Sequence, residues 1–144
     1  MKKFSFPLDR VLVWRRLEFD REQSLLQRAL FERNSMVARE AAVRQYRLDS
    51  ERLLSANASI DATLVSTLAD WQSSIKRSIS SLATGIIAAD QKVAAHQTRF
   101  YEAKRRVGLL ERLREQRVDN WKAELDREEE AFATEAFLAR SRRL

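Results

Sequence analysis

Residues Ile79 to Leu110 read ISSLATGIIAADQKVAAHQTRFYEAKRRVGLL. In steps of seven they give Ile79, Ile86, Val93, Phe100 and Val107, and an interleaved series gives Leu82, Ala89, His96, Ala103 and Leu110. His96 alone breaks the apolar rule. A repeat of this kind, held for about four and a half heptads, predicts a long helix in a left-handed supercoil with a partner helix. Ile75 extends it one step toward the N-terminus. The small residues of the second series predict a partner that packs close to Ala89, His96 and Ala103. Two glycines, Gly85 and Gly108, interrupt this region, and each costs a helix about 1 kcal/mol relative to Ala. Two readings stay open for them: a cost tolerated in a long helix, or a place where another surface comes close.

Upstream, Pro7 is suited to a helix start, because its missing N–H has no partner to lose there. From Leu8 the pattern is helical. Leu12, Phe19, Leu26, Leu30, Val37, Ala41 and Leu48 form one apolar series, and Val11, Leu25, Ala29, Met36 and Val43 lie beside it. That face is wide but ragged. A first helix is expected over about 8–56. Residues 55–60, Ser-Ala-Asn-Ala-Ser-Ile, are the best break, since Asn and Ser compete for backbone hydrogen bonds and favour caps and turns. A tip segment is expected over about 57–71, with Ser59 as N-cap of a short helix holding Ile60, Leu64, Val65 and Leu68. A second helix then covers about 72–140.

Beyond Leu110 the stripe thins to Trp121, Leu125, Phe132 and Ala136, and the chain closes on Arg140, Arg142 and Arg143, which suit the negative end of a helix dipole. Two long helices and a short tip give an all-α antiparallel coiled-coil hairpin, expected as one domain over residues 1–144. Its paired part would be roughly 70 Å long. With the turn centred near residue 64, Leu8 falls opposite Trp121, and the longer second helix overhangs past about Leu125. Trp14, Tyr46, Trp71 and Tyr101 lie at or off the edges of the stripes. Exposed aromatics on such a rod are candidate partner contacts. Capping the ends of the paired region explains them equally well.

Composition agrees. The 144 residues include 2 Gly, 1 Pro and no Cys, with 33% charged side chains and a net charge of +6. Little turn punctuation with abundant Arg, Glu, Ala and Leu reads as long helix. Without Cys there is no disulfide framework and no thiolate metal site. Asp9 and Arg10 cut short any secretory signal. The longest uncharged run, between Arg77 and Asp90, falls well below the ~20 residues that span a bilayer. The expectation is a soluble protein. Both ends are densely charged with the signs mixed, and the middle is nearly neutral and rich in Ser.

No catalytic pattern emerges. There is one His and no Gly-rich phosphate loop, and consecutive Glu128, Glu129 and Glu130 point to different sides of a helix. A two-helix rod lacks the concave pocket of most enzymes. His96 sits at an interior heptad position and reads as a packed residue, because a metal site needs several convergent ligands. The expected chain is a non-enzyme with no cofactor and no metal.

The opening Lys3-Phe4-Ser5-Phe6-Pro7-Leu8-Asp9-Arg10-Val11-Leu12 resembles the start of the flagellar export protein FliJ family. The segment Leu110-Glu111-Arg112-Leu113-Arg114-Glu115-Gln116-Arg117, followed by Trp121, Glu124 and Asp126-Arg127-Glu128, is similar to that family's late Glu/Arg block. The resemblance covers essentially the whole chain. It implies a component of the flagellar type III secretion apparatus, a stalk-like partner of the export ATPase ring. This partner promotes the ring's assembly and activity, contacts the membrane-embedded export gate and escorts export chaperones. Carried onto this sequence, it assigns Phe4, Phe6, Arg10, Arg15, Arg112, Arg114 and Arg117 to the ATPase-facing end, and it implies a place in the cytoplasm, peripheral at the cytoplasmic face of the inner membrane at the flagellar base. Tyr46 and Trp71, among the aromatics at the edges of the stripes, are the expected gate or chaperone contacts. The hairpin reading itself predicts a monomer in isolation. The competing readings are a nucleic-acid-binding coiled coil and a generic scaffold. Nucleic-acid binding is disfavoured because basic residues alternate with acids, whereas a phosphate-binding face carries one sign.

Overall fold

The computed structural model describes residues 2–56 and 61–144. Two α-helices organise them, α1 (Asp9–Ala56) and α2 (Ala62–Arg142), with no strand among the described residues. The chain divides into two compact units, each built from both helices. Unit 1 joins Met1–Asp20 to Tyr101–Leu144, and unit 2 comprises Arg21–Phe100. In unit 1, Asp9 meets Arg114, Arg16 meets Glu111 and Glu18 meets Arg106. In unit 2, Arg33 meets Asp90, Met36 meets Gly85 and Tyr46 meets Trp71. Numbers rise along α1 as they fall along α2, so the helices run antiparallel in each unit and form a helical hairpin.

α1 begins where the Phe6 carbonyl accepts from Asp9 N at 3.1 Å and the Leu8 carbonyl from Leu12 N at 2.8 Å. Pro7 sits in the turn just ahead, and Asp9 puts a carboxylate at the positive end of the helix dipole. α2 begins behind Asp61. Its carboxylate accepts from Ala62 N at 2.8 Å and its carbonyl from Val65 N at 3.1 Å, which is N-cap geometry. The expected cap, Ser59, and Ile60 lie outside the described residues. α2 then runs on through Leu64, Val65, Leu68 and Trp71, where a separate tip helix ending near 71 was expected. The β-branched residues here do not break it, and Thr67 Oγ1 donates back to the Thr63 carbonyl at 3.0 Å. At the other end Arg140 and Arg142 occupy the last turn.

The apolar heptads of α2 face inward as the sequence predicts. Ile75, Ala89, Val93, Ala103 and Val107 are buried, and Ile79, Leu82, Ile86, His96, Phe100 and Leu110 are half-buried. Gly85 lies 3.4 Å, measured from an ideal Cβ position, from the sulfur of Met36, an ordinary van der Waals approach.

α1 departs from its expected face. Leu12, Phe19, Leu26 and Leu30 turn inward, but Val37, Ala41 and Leu48 are exposed. The residues that do face α2 keep a strict three-four spacing. Leu12, Phe19, Leu26, Arg33, Glu40, Arg47 and Leu54 form one series, and Arg15, Glu22, Ala29, Met36, Val43 and Ser50 the other, each buried or half-buried. Half of this seam is polar. Arg fits there because its aliphatic stem packs inward while its charged end reaches the edge, whereas Glu22 keeps Oε2 buried with no hydrogen-bond partner among the described residues. Arg33 Nε reaches Asp90 at 2.8 Å, and Arg47 reaches Glu51 at 3.1 Å.

The register also differs from the expectation. In unit 1, Trp121 lies against Phe4 and Lys2 rather than opposite Leu8, a shift of about one helical turn. α1 ends at Ala56 and residue 64, the expected centre of the turn, already lies inside α2, which begins at Ala62. Within unit 1, α2 continues past this contact as a lone helix. Beyond Leu125 its side chains are exposed apart from a half-buried Ala136, with Phe132 and Phe137 more than 70% exposed.

Candidate partner-binding surface

Unit 1 carries all seven residues assigned to the ATPase-facing end. Residues Lys2–Phe6 precede α1 in irregular backbone and lie along α2 as a short strap. The Lys2 carbonyl accepts from the Trp121 indole N–H at 3.1 Å. The Phe4 ring is tilted against the Trp121 ring with centroids 6.0 Å apart, and the Arg114 guanidinium stands 5.6 Å from the Phe4 centroid. Such stacking of a cation over an aromatic face is attractive by about 0.5–1 kcal/mol at exposed sites. Phe6 is buried, only 4% exposed. Arg114 Nε also reaches Asp9 Oδ1, at 3.4 Å.

The seven residues therefore divide. Phe4 and Arg114 come together at Trp121 and hold the strap on α2, and Phe6 is buried just ahead of α1. Arg15 is half-buried, its guanidinium 2.8 Å from Glu18 and 4.6 Å from the centroid of its neighbour Trp14. Arg10, Arg112 and Arg117 are exposed. The partner of the strap, Trp121, entered the sequence reading as part of the thinning stripe, opposite Leu8, and again through the family resemblance. Its role depends on a contact 119 residues away in the chain, and helical periodicity carries no signal for such a contact.

A groove of about 760 Å³ opens on unit 1 along α2 from Tyr101 to Arg112, with Arg16, Phe19 and Asp20 of α1 on its other side. Gly108 lines it, and a Cβ built there meets nothing within 4 Å.

In unit 2, Tyr46 and Trp71 pack edge to face with centroids 6.0 Å apart and planes at 63°. The Tyr46 ring is exposed and Trp71 is half-buried. The two aromatics assigned to gate or chaperone contacts thus form one patch. A second, more open groove of about 750 Å³ lies between Arg39, Val43, Arg77 and Leu82. Its lining includes Ser74, Ser78 and Ser81.

Among the described residues no three His, Cys, Asp or Glu side chains gather as a metal site. No described helix is long and apolar enough to cross a membrane. No curated protein and no solved structure matches the chain significantly. The family model described as flagellar FliJ protein matches residues 4–141, which takes in the strap from Phe4 on, all of α1, and α2 except its last residue. The chain belongs to the flagellar FliJ family, components of the flagellar type III export apparatus.

Proposed function

We propose that the chain acts as a stalk-like partner of the flagellar export ATPase ring. In this reading it promotes the ring's assembly and hydrolysis, links it to the export gate and escorts export chaperones, without a reaction of its own. It works at the cytoplasmic face of the inner membrane at the flagellar base, as a monomer when alone. The observation that carries the reading is that both ends of a FliJ-family chain, with exposed Arg10, Arg112 and Arg117, belong to one compact unit. Exposed guanidinium groups make directional contacts to carboxylates and steer association. Tyr46 and Trp71, paired in the other unit, are the proposed contact for gate or chaperone.

The test is hydrolysis by the purified export ATPase with and without the chain, together with co-elution. Stimulated hydrolysis and a stable complex are expected. The triple charge reversal Arg10→Glu, Arg112→Glu and Arg117→Glu should abolish both while leaving the helical circular dichroism unchanged. If stimulation survives the reversal, these arginines are not the contact.

A further inference from the structure

Gly108 stands well inside an 81-residue helix, with a right-handed backbone that any residue adopts. Glycine is a poor helix former there, and among the described residues nothing comes within 4 Å of a Cβ built on it. Gly85, by contrast, has Met36 packed over it. No described part of the chain covers the backbone at Gly108, so it stands open to a partner.

The groove around Gly108 says what such a partner is made of. Its apolar walls are Phe19, Val107, Leu109 and Tyr101, and the last two are more than half exposed. Arg16, Lys104, Arg105 and Arg112 line the groove against only Asp20 and Glu111. Arg16 is already engaged with Glu111 at 3.3 Å. The charge left over is positive and is carried by Lys104, Arg105 and Arg112, all exposed. Apolar walls with a basic rim complement an acidic ligand that carries an apolar anchor. From Tyr101 to Arg112 the groove spans about 17 Å, three helical turns, a length that suits an amphipathic helix laid in a groove. A nucleic-acid strand supplies phosphates but no aliphatic anchor to set on Val107 and Leu109, so the groove favours the helix.

We propose that this groove is a docking site for an acidic amphipathic helix of a partner protein, which sets one large apolar side chain over Gly108 and its carboxylates against Lys104, Arg105 and Arg112. The proposal goes beyond the export-ATPase reading, since it holds whichever component supplies the helix.

The test uses the full chain and a fluorescein-labelled 18-residue helical peptide with a Leu/Phe stripe flanked by Glu. Two controls accompany it, the same peptide with Lys for Glu and a poly-dT oligonucleotide of equal length. Binding is read by anisotropy and thermal stability by circular dichroism. The acidic peptide should bind wild type. Gly108→Leu, which fills the groove, should weaken binding about tenfold or more while raising the melting temperature, because a better helix former has replaced glycine. Gly108→Ala should raise the melting temperature with a smaller loss of binding. Lys104→Glu with Arg105→Glu should abolish binding. The proposal is overturned if wild type does not bind the acidic peptide, or if Gly108→Leu binds it as tightly as wild type. It is equally overturned if the Lys peptide or the oligonucleotide binds as well as the acidic peptide, or if Gly108→Leu abolishes a self-association of the chain with no effect on peptide.

Discussion

At the scale of single residues, His96 is the odd member of the apolar stripe. Its Nδ1 is buried with no hydrogen-bond partner among the described residues. An unsatisfied buried polar atom costs about 1–3 kcal/mol, so His96→Leu should raise the urea midpoint by an amount equivalent to about 1–2 kcal/mol. A lower midpoint would mean that the imidazole does work that its neighbours conceal. Phe6 is the opposite case, an aromatic at the edge of the fold that is nonetheless almost fully enclosed. Phe6→Ala should destabilise the protein by about 3 kcal/mol, as large-to-small changes at enclosed aromatic sites do. Phe4→Ala, at a half-buried ring, should cost less. The exposed ion pairs matter little by comparison. Arg16→Ala, at the exposed pair with Glu111, should lose no more than about 1 kcal/mol, the range measured for surface pairs.

At the scale of helices, the two arms differ in how much their sequences disclose. α2 announces itself, because nearly every interior position from Ile75 to Leu110 is apolar and the heptad is audible without a structure. α1 hides its interior stripe. Its apolar series steps from Leu26 to Leu30 and on to Val37, whereas the true seam steps from Leu26 to Arg33 and Glu40. Periodicity tracks hydrophobic side chains, and it loses the seam where the seam is built from the stems of charged ones. A pair of substitutions separates the two stripes. Ser50→Leu, on the observed seam, should stabilise by about 1 kcal/mol through added apolar burial, while Leu48→Ser, off it, should stay within about 0.5 kcal/mol of wild type. The reverse order would restore the apolar stripe as the packing face. The candidate site was legible to a similar degree. Its arginines could be named from the resemblance, but which of them face outward depends on the strap, and the strap is a contact between the two ends of the chain.

For the molecule as a whole, the antiparallel arrangement inside each unit can be read by crosslinking, because the natural chain has no Cys to interfere. A short bis-maleimide should join Met36→Cys to Gly85→Cys within one chain, and likewise Asp9→Cys to Arg114→Cys. Both products should run as monomers on a denaturing gel. Dimeric products, with each position linked to its own copy, would point to parallel helices from two chains. Removal of everything after Asp126 should leave the thermal midpoint within about 2 °C of the intact chain, since nearly all of the deleted side chains are exposed. The same deletion leaves the groove over Gly108 complete, so loss of a partner on truncation would report on the lone segment of α2 that carries Phe132 and Phe137.

The strap fastens Lys2 and Phe4 to Trp121, and this sets an order of events during synthesis. Phe4 has its place on a tryptophan made long after it. Loops this long close slowly because the ends must first find one another. A nascent chain therefore displays Phe4 uncovered until Trp121 has emerged, and the strap closes only after all of α1 and most of α2 have been made. A bulky fusion ahead of Lys2 would burden that late closure more than one placed after Leu144.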